Sequence, residues 1–177
     1  MEEKPVKSNI ALIGFMGTGK SSVGRALAKK LGWKFIELDA TIEQNAGKPI
    51  PQIFKQDGEI VFREIEIQTV KDIARGKHIV ISCGGGVVLN KINIDRLKEH
   101  GVVVYLMASP AAISKRTSRD KLVRPLLNVE DPVGRIKELL KFRKPFYERA
   151  ADITINTSRL TVEEVAEEIV KQIKKND

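Results

Sequence analysis

The chain has 177 residues, close to the usual size of one domain and long enough to bury a core without staples. With 42% hydrophobic and 31% charged residues it reads as an ordinary globular protein and not a disordered one, and its single cysteine, Cys83, excludes an intramolecular disulfide or a Cys-based zinc site. No run approaches the ~18 apolar residues of a membrane-spanning helix, and the net charge of +8 comes without a basic stripe and with only 5% aromatics, which favours a lysine-rich surface and a pocket for polyanions over nucleic-acid binding. Residues 1–8 are mixed-charge and lack the apolar stretch of a secretion signal, so the expected setting is the cytoplasm.

Apolar strand-like runs alternate with helical patterns along the chain, which predicts βαβ units and a parallel sheet. The first strand is expected over 9–13 (NIALI). A glycine-rich loop follows, then a helix over 21–31 with Val23, Ala26, Leu27 and Leu31 on one face, stopped by Gly32. The second strand is expected over 34–38. Helical stretches over 39–46, 51–56 and 58–75 lead to a third strand, 78–82, which ends in Gly84-Gly85-Gly86. A helix near 91–99 and a strand over 102–107 come next. Ser109-Pro110 and Asp131-Pro132 each combine an N-cap with proline at the first helical position; the second opens a helix through about 150. The fifth strand is expected over 152–156, and Thr161 to Glu164 forms a capping box for the last helix. Five such strands predict an α/β fold of three αβα layers around a five-stranded parallel sheet, in a single domain over 1–177. Ligands then bind beyond the carboxyl ends of the strands.

Gly14 to Ser21 reads G-x-x-x-x-G-K-S between a strand and a helix, the context that a phosphate-binding loop requires. Glycines let backbone N–H groups turn toward phosphate oxygens, and the helix N-terminus adds its positive end. Gly17, Thr18, Gly19, Lys20, Ser21 and Ser22 are therefore expected to bind the phosphates of a nucleoside triphosphate, ATP or GTP. Lys20 would reach the β- and γ-phosphates and act in catalysis, and the Ser21 hydroxyl would ligate Mg²⁺. A GTPase reading is set aside, because Asn90-Lys91-Ile92-Asn93 lacks the acid of a guanine-reading motif. The third strand ends in Ser82 and the fourth in Met107, so neither supplies the usual magnesium-binding Asp. The candidates become Glu37 and Asp39. Residues 116–131, RTSRDKLVRPLLNVED, are polar, basic and weakly periodic, and are read as a mobile lid over about 117–131 that excludes water from the γ-phosphate.

Six pieces in order carry a resemblance: GFMGTGKSSVGRALA at 14–28, the acidic pair Glu37 and Asp39, GEIVFREIE at 58–66, SCGGGVV at 82–88, RPLL at 124–127 and RKPFYERAAD at 143–152. With these the chain resembles the shikimate kinase family over about 10–173, a P-loop kinase with a nucleoside-monophosphate-kinase-like fold. The resemblance implies ATP-dependent phosphorylation of the 3-hydroxyl of shikimate in aromatic amino-acid biosynthesis, with Mg²⁺ as cofactor and ATP and shikimate as the partners. It implies an acceptor-binding segment over about 39–66. Arg63 and Arg143 would grip the acceptor carboxylate, Asp39 would bind ring hydroxyls and serve as base, and the backbone of Gly84, Gly85 and Gly86 would approach the ring. Arg124 would be the catalytic lid arginine and an ATP contact, with Arg116 against the adenine and Arg159 as another nucleotide contact. Magnesium would be held by Ser21 and, through water, by Glu37. A monomer, with no nucleic-acid or membrane partner, is expected.

Other readings of single residues stand beside these. Arg63 could pair with Glu59 or Glu66 on its own helix, and Asp39 could be an N-cap. Two departures from the family pattern stand out. Glu37 replaces the usual Asp, a side chain roughly 1.3–1.5 Å longer. Leu160, Thr161 and Val162 follow Arg159 where a proline is common. The competing functions are a gluconate or nucleoside-monophosphate kinase and a non-catalytic nucleotide-binding regulator. The triple glycine with Arg63 and Arg143 argues against the first. Intact Lys20, Ser21 and Asp39 argue against the second.

Overall fold

The computed structural model describes residues 7–120 and 125–176. Its strands are β1 (Asn9–Ile13), β2 (Lys34–Glu37), β3 (Ile79–Ser82), β4 (Gly101–Met107) and β5 (Ile153–Asn156). They pair in parallel in the order β2-β3-β1-β4-β5, so the first strand made lies at the centre. The helices are α1 (Lys20–Leu31), α2 (Leu38–Ala46), α3 (Ile50–Gln56), α4 (Gly58–Ala74), α5 (Lys91–His100), α6 (Pro110–Arg119), α7 (Pro132–Ala150) and α8 (Val162–Asn176).

Strand side chains alternate between the two faces, and the two faces carry separate cores. Ile10, Leu12, Val80, Val104 and Leu106 point to α1 and α8, where Leu27 and Ile169 are buried. Ala11, Ile13, Ile81, Val103 and Tyr105 point to the opposite layer, where Ile42, Phe62, Ile94, Ile136 and Tyr147 close over them. This is the expected three-layer αβα arrangement.

The helix starts follow their signals. Ser109 Oγ accepts from Ala112 N (3.1 Å), and Asp131 Oδ1 accepts from Gly134 N (2.9 Å). The capping box is reciprocal: Thr161 N donates to Glu164 Oε2 (2.7 Å) and Glu164 N to Thr161 Oγ1 (3.2 Å). These bonds hold the Glu164 carboxyl below its ordinary pKa. Some boundaries shift. β2 stops at Glu37 because Leu38 is already helical, so Asp39 lies inside the first turn of α2 and is not its N-cap. β3 starts at Ile79 because His78 adopts φ 57°, a left-handed conformation. β5 starts at Ile153, and the Asp152 carboxylate instead accepts from Val103 N (2.9 Å).

Candidate active site

Five strand ends open onto one edge of the sheet. The loop after β1 begins at Gly14, with φ 145°, where a Cβ would run into the Leu106 carbonyl. Only glycine allows the loop to leave β1 this close to β4. Thr18 Oγ1 donates to the Phe15 carbonyl (2.8 Å). Lys20 Nζ donates to the Gly14 and Phe15 carbonyls, both at 2.9 Å. The ammonium is thus held over the mouth of the loop, where phosphate oxygens can take over from carbonyl oxygens.

Ser21, the second residue of α1, stands beside two residues from other strand ends. Glu37 and Ser82 are register partners in the β2–β3 ladder. Ser82 Oγ donates to Glu37 Oε1 at 2.8 Å, and Ser21 Oγ stands 3.4 Å from Ser82 Oγ. A hydroxyl has one proton. Since Ser82 gives its proton to Glu37, the Ser21 contact requires Ser21 to donate to Ser82. Arg25 Nη2 lies 4.0 Å from the other Glu37 oxygen. The two residues expected to serve magnesium are thereby joined through Ser82, the strand-end residue that stands where an Asp was missed.

On the acceptor side, each glycine of 84–86 abuts one of the predicted side chains. A Cβ at Gly84 would stand 2.6 Å from Asp39 Oδ1, at Gly85 3.3 Å from Arg143 Nη1, and at Gly86 2.9 Å from Arg63 Nη2. Alanine at any of these would displace the group beside it. Asp39 opens to solvent at the cleft, yet protein crowds its carboxyl on the other sides. That desolvation raises its pKa above 3.8, against the pull of Lys20 and with help from the charges of Glu37 and Glu43.

Arg63 makes the ion pairs weighed from the sequence. Its Nη1 donates to both oxygens of Glu66 (3.0 and 3.2 Å), and Nη2 meets Glu59 at 3.4 Å. It is not a surface arginine, however, because Glu66 is only 1% exposed and Nη1 also reaches the Gly86 carbonyl at 3.4 Å. Burial raises the Glu66 pKa; Arg63 opposes it, as does Asn93, whose Nδ2 donates to Glu66 Oε1 at 3.2 Å. Arg143 projects from α7 toward Gly85, its guanidinium carbon 5.9 Å from the centre of the Phe15 ring, and its buried Nε has no partner among the described residues.

On the nucleotide side, Arg116 Nη1 donates to the Gly17 carbonyl (3.2 Å) and Thr157 Oγ1 (3.0 Å), and its Nη2 to the Thr157 carbonyl (2.7 Å). Thr157, buried after β5, donates onward to the Thr18 carbonyl at 3.0 Å. Arg116 and Thr157 therefore clamp the glycine loop. Ser22 and Arg159 are exposed at this edge. Arg124 lies outside the described residues. Ser82, Thr157, Tyr147 and Asn93 were not singled out as site residues from the sequence. Ser82 and Tyr147 stand inside quoted motifs, which was the available signal; Thr157 and Asn93 had none. An open depression lined by Leu126, Val129 and Gly134 at the start of α7 holds none of the site residues.

The sequence matches the family model for shikimate kinase over residues 16–174. A shikimate kinase from Thermodesulfovibrio yellowstonii is 52% identical over 164 residues, 93% of this chain and 94% of that protein. The structure of shikimate kinase from Acinetobacter baumannii in complex with shikimate superposes with a TM-score of 0.89 at 40% identity, covering 96% of this chain and 94% of that one. Shikimate kinase from Aquifex aeolicus gives a TM-score of 0.82 at 34% identity, over 95% of this chain and 97% of that one.

Proposed function

The chain belongs to the shikimate kinase family, and from that premise we propose how its own residues carry ATP-dependent phosphorylation of the 3-hydroxyl of shikimate. The activity is a phosphoryl transfer. The acceptor oxygen bonds to the γ-phosphorus, the bond to the β–γ bridging oxygen breaks, and ADP leaves.

The observation that supports the residue roles is the triple glycine. Three successive residues with no side chain bring Asp39, Arg143 and Arg63 against one stretch of backbone, and Asp39 lies within electrostatic reach of Lys20. Two guanidinium groups suit a carboxylate, and one carboxylate suits ring hydroxyls. Asp39 accepts the hydroxyl proton as it is lost, and its raised pKa favours that role. Lys20 with the loop N–H groups binds the phosphates, Arg116 and Arg159 face the nucleoside, and Arg124, which lies outside the described residues, would act from the expected lid. Transfer is largely dissociative, so placement and positive charge contribute more than base strength.

The donors present suit magnesium. Two hydroxyls and a carboxylate are hard oxygen ligands, too few for a protein-only cage, and Mg²⁺ prefers to keep waters and phosphate oxygens. Ser21 would hold the ion directly and Glu37 through water. The ion supplies charge neutralisation at the β- and γ-oxygens when bound. The setting proposed is a cytoplasmic monomer with a single domain. No helix among the described residues is long and apolar enough to cross a membrane.

The test offers purified protein, ATP and magnesium with shikimate, gluconate or AMP in turn, and follows ADP. Release with shikimate alone is expected. Turnover on another acceptor, or ATP binding without turnover on any, would overturn the reading.

A further inference from the structure

Tyr147 is the largest fully buried side chain among the described residues, at 0% exposure, and has no part in the proposed transfer. It stands four residues after Arg143 on α7, one turn along the same face. Its ring stacks on Tyr105 of β4, with centroids 5.0 Å apart and planes at 18°. Tyr105 in turn is the register partner of Ile13 in the central strand. The phenol is therefore packed from α7 against the strand that pairs with the central one.

Its hydroxyl donates to the Gly85 carbonyl at 2.6 Å. Arg143 lies beside it, with Nη1 and the Tyr147 hydroxyl 3.3 and 3.7 Å from where a Cβ on Gly85 would stand. Burial pushes the phenol pKa up to about 12, so the proton stays on the oxygen throughout the neutral range and the donor role is permanent. A buried tyrosine whose only task was packing would be served as well by phenylalanine. Here the one polar atom bonds one group of the acceptor wall and stands beside another, 58 residues apart in sequence (143 − 85). The bond also sets a direction. In a trans peptide the C=O of Gly85 and the N–H of Gly86 point opposite ways. Holding the carbonyl toward α7 turns the Gly86 N–H to the other side.

We propose that Tyr147 is a positioning residue for the acceptor: its hydroxyl fixes the Gly85–Gly86 peptide and the Arg143 guanidinium relative to one another, so that the acceptor carboxylate meets them in one geometry. This rests on the reading that Arg143 and Gly85 bind the acceptor, and the experiment separates the two. Tyr147→Phe keeps the ring stack and removes one oxygen. Its KM for shikimate should rise about tenfold, as expected for losing roughly 1.4 kcal/mol of hydrogen-bonded geometry, with kcat and the KM for ATP within about twofold. Preference for shikimate over its methyl ester should fall by a similar factor, which a packing defect would not cause. Arg143→Ala run in parallel tests the underlying reading. If it raises the shikimate KM while Tyr147→Phe leaves it unchanged, the role of Tyr147 is wrong and the site reading stands. If Arg143→Ala leaves the shikimate KM unchanged, the site reading itself is wrong. Should Tyr147→Phe fail to fold, 4-aminophenylalanine at 147 restores an N–H donor on the same ring. Shikimate KM within about threefold of the natural chain supports the proposal, and equal loss of shikimate and ATP affinity overturns it.

Discussion

Asp39 meets two opposing demands. The base role proposed for it needs the ionised form, while the crowding around it favours the neutral form and raises its pKa. A carboxyl whose folded pKa lies above its unfolded value adds stability below the unfolded value and loses that stability as pH rises through the folded one. Near neutrality the ionised Asp39 therefore strains the fold. Asp39→Asn should melt at a higher temperature than the natural chain at pH 7.5, while kcat falls by about 100-fold or more. A lower melting temperature would show that the neighbouring cations outweigh desolvation. The acid limb of the pH–rate profile should likewise sit above the ordinary Asp value of 3.8. Glu37 poses a different question, because Ser82 already occupies one of its oxygens. Glu37→Ala should raise the magnesium concentration for half-maximal rate about tenfold, a loss of about 1.4 kcal/mol in holding the ion. An unchanged magnesium titration would remove Glu37 from the metal site.

At the scale of elements, caps and strand ends place the chemistry. α7 carries Arg143 and Tyr147, and Asp131 caps its start. Asp131→Ala should cost about 1 kcal/mol in urea denaturation and leave shikimate affinity unchanged, since Arg143 lies three turns from the cap. Local signals of this kind made most elements legible in the sequence. Ser109-Pro110, Asp131-Pro132 and the Thr161 capping box act within four residues, so the predicted starts agree with those observed. The boundaries at His78 and Leu38 differ because of local backbone conformation: His78 is left-handed just before β3, and Leu38 is already helical where β2 stops. The site divides in the same way. Lys20, Ser21, Asp39, Arg63 and Arg143 sit in motifs that a reader can recognise. Thr157 bonds the Thr18 carbonyl 139 residues away, and Asn93 bonds Glu66 across 27. A contact across such separations leaves no periodicity to read. The sheet order, with β4 between β1 and β5, brings Thr157 to the glycine loop, and the packing of α4 on α5 brings Asn93 to Glu66.

Across the whole molecule, stability and the proposed acceptor binding meet at Arg63. Arg63→Ala would remove the proposed binding group and also strand Glu66, a carboxylate buried at 1% exposure, without its cation. Breaking one side of such a pair costs about 3 kcal/mol. Adding Glu66→Gln to Arg63→Ala should recover much of that loss in thermal melts. Shikimate should raise the melting temperature of the natural chain, because a ligand bound only to the folded state stabilises it by mass action. It should raise neither the single nor the double variant. A restored shikimate response in the double variant would mean that Arg63 supports the fold and does not touch the acceptor.

The central place of β1 has a consequence for how the protein is made. The phosphate loop is the first piece of the site to leave the ribosome, yet it stays unfinished for most of synthesis. Its strand is flanked on one side by β3 and on the other by β4, so Asn9–Ile13 lacks its second neighbour until residue 107 has emerged. The Thr18 carbonyl waits still longer, for Thr157. A nascent chain therefore carries the nucleotide-binding motif long before it has a cradle. The last tie on the loop, from Thr157, therefore forms only after residues 39 to 147, from which the proposed acceptor wall is drawn, have all been made.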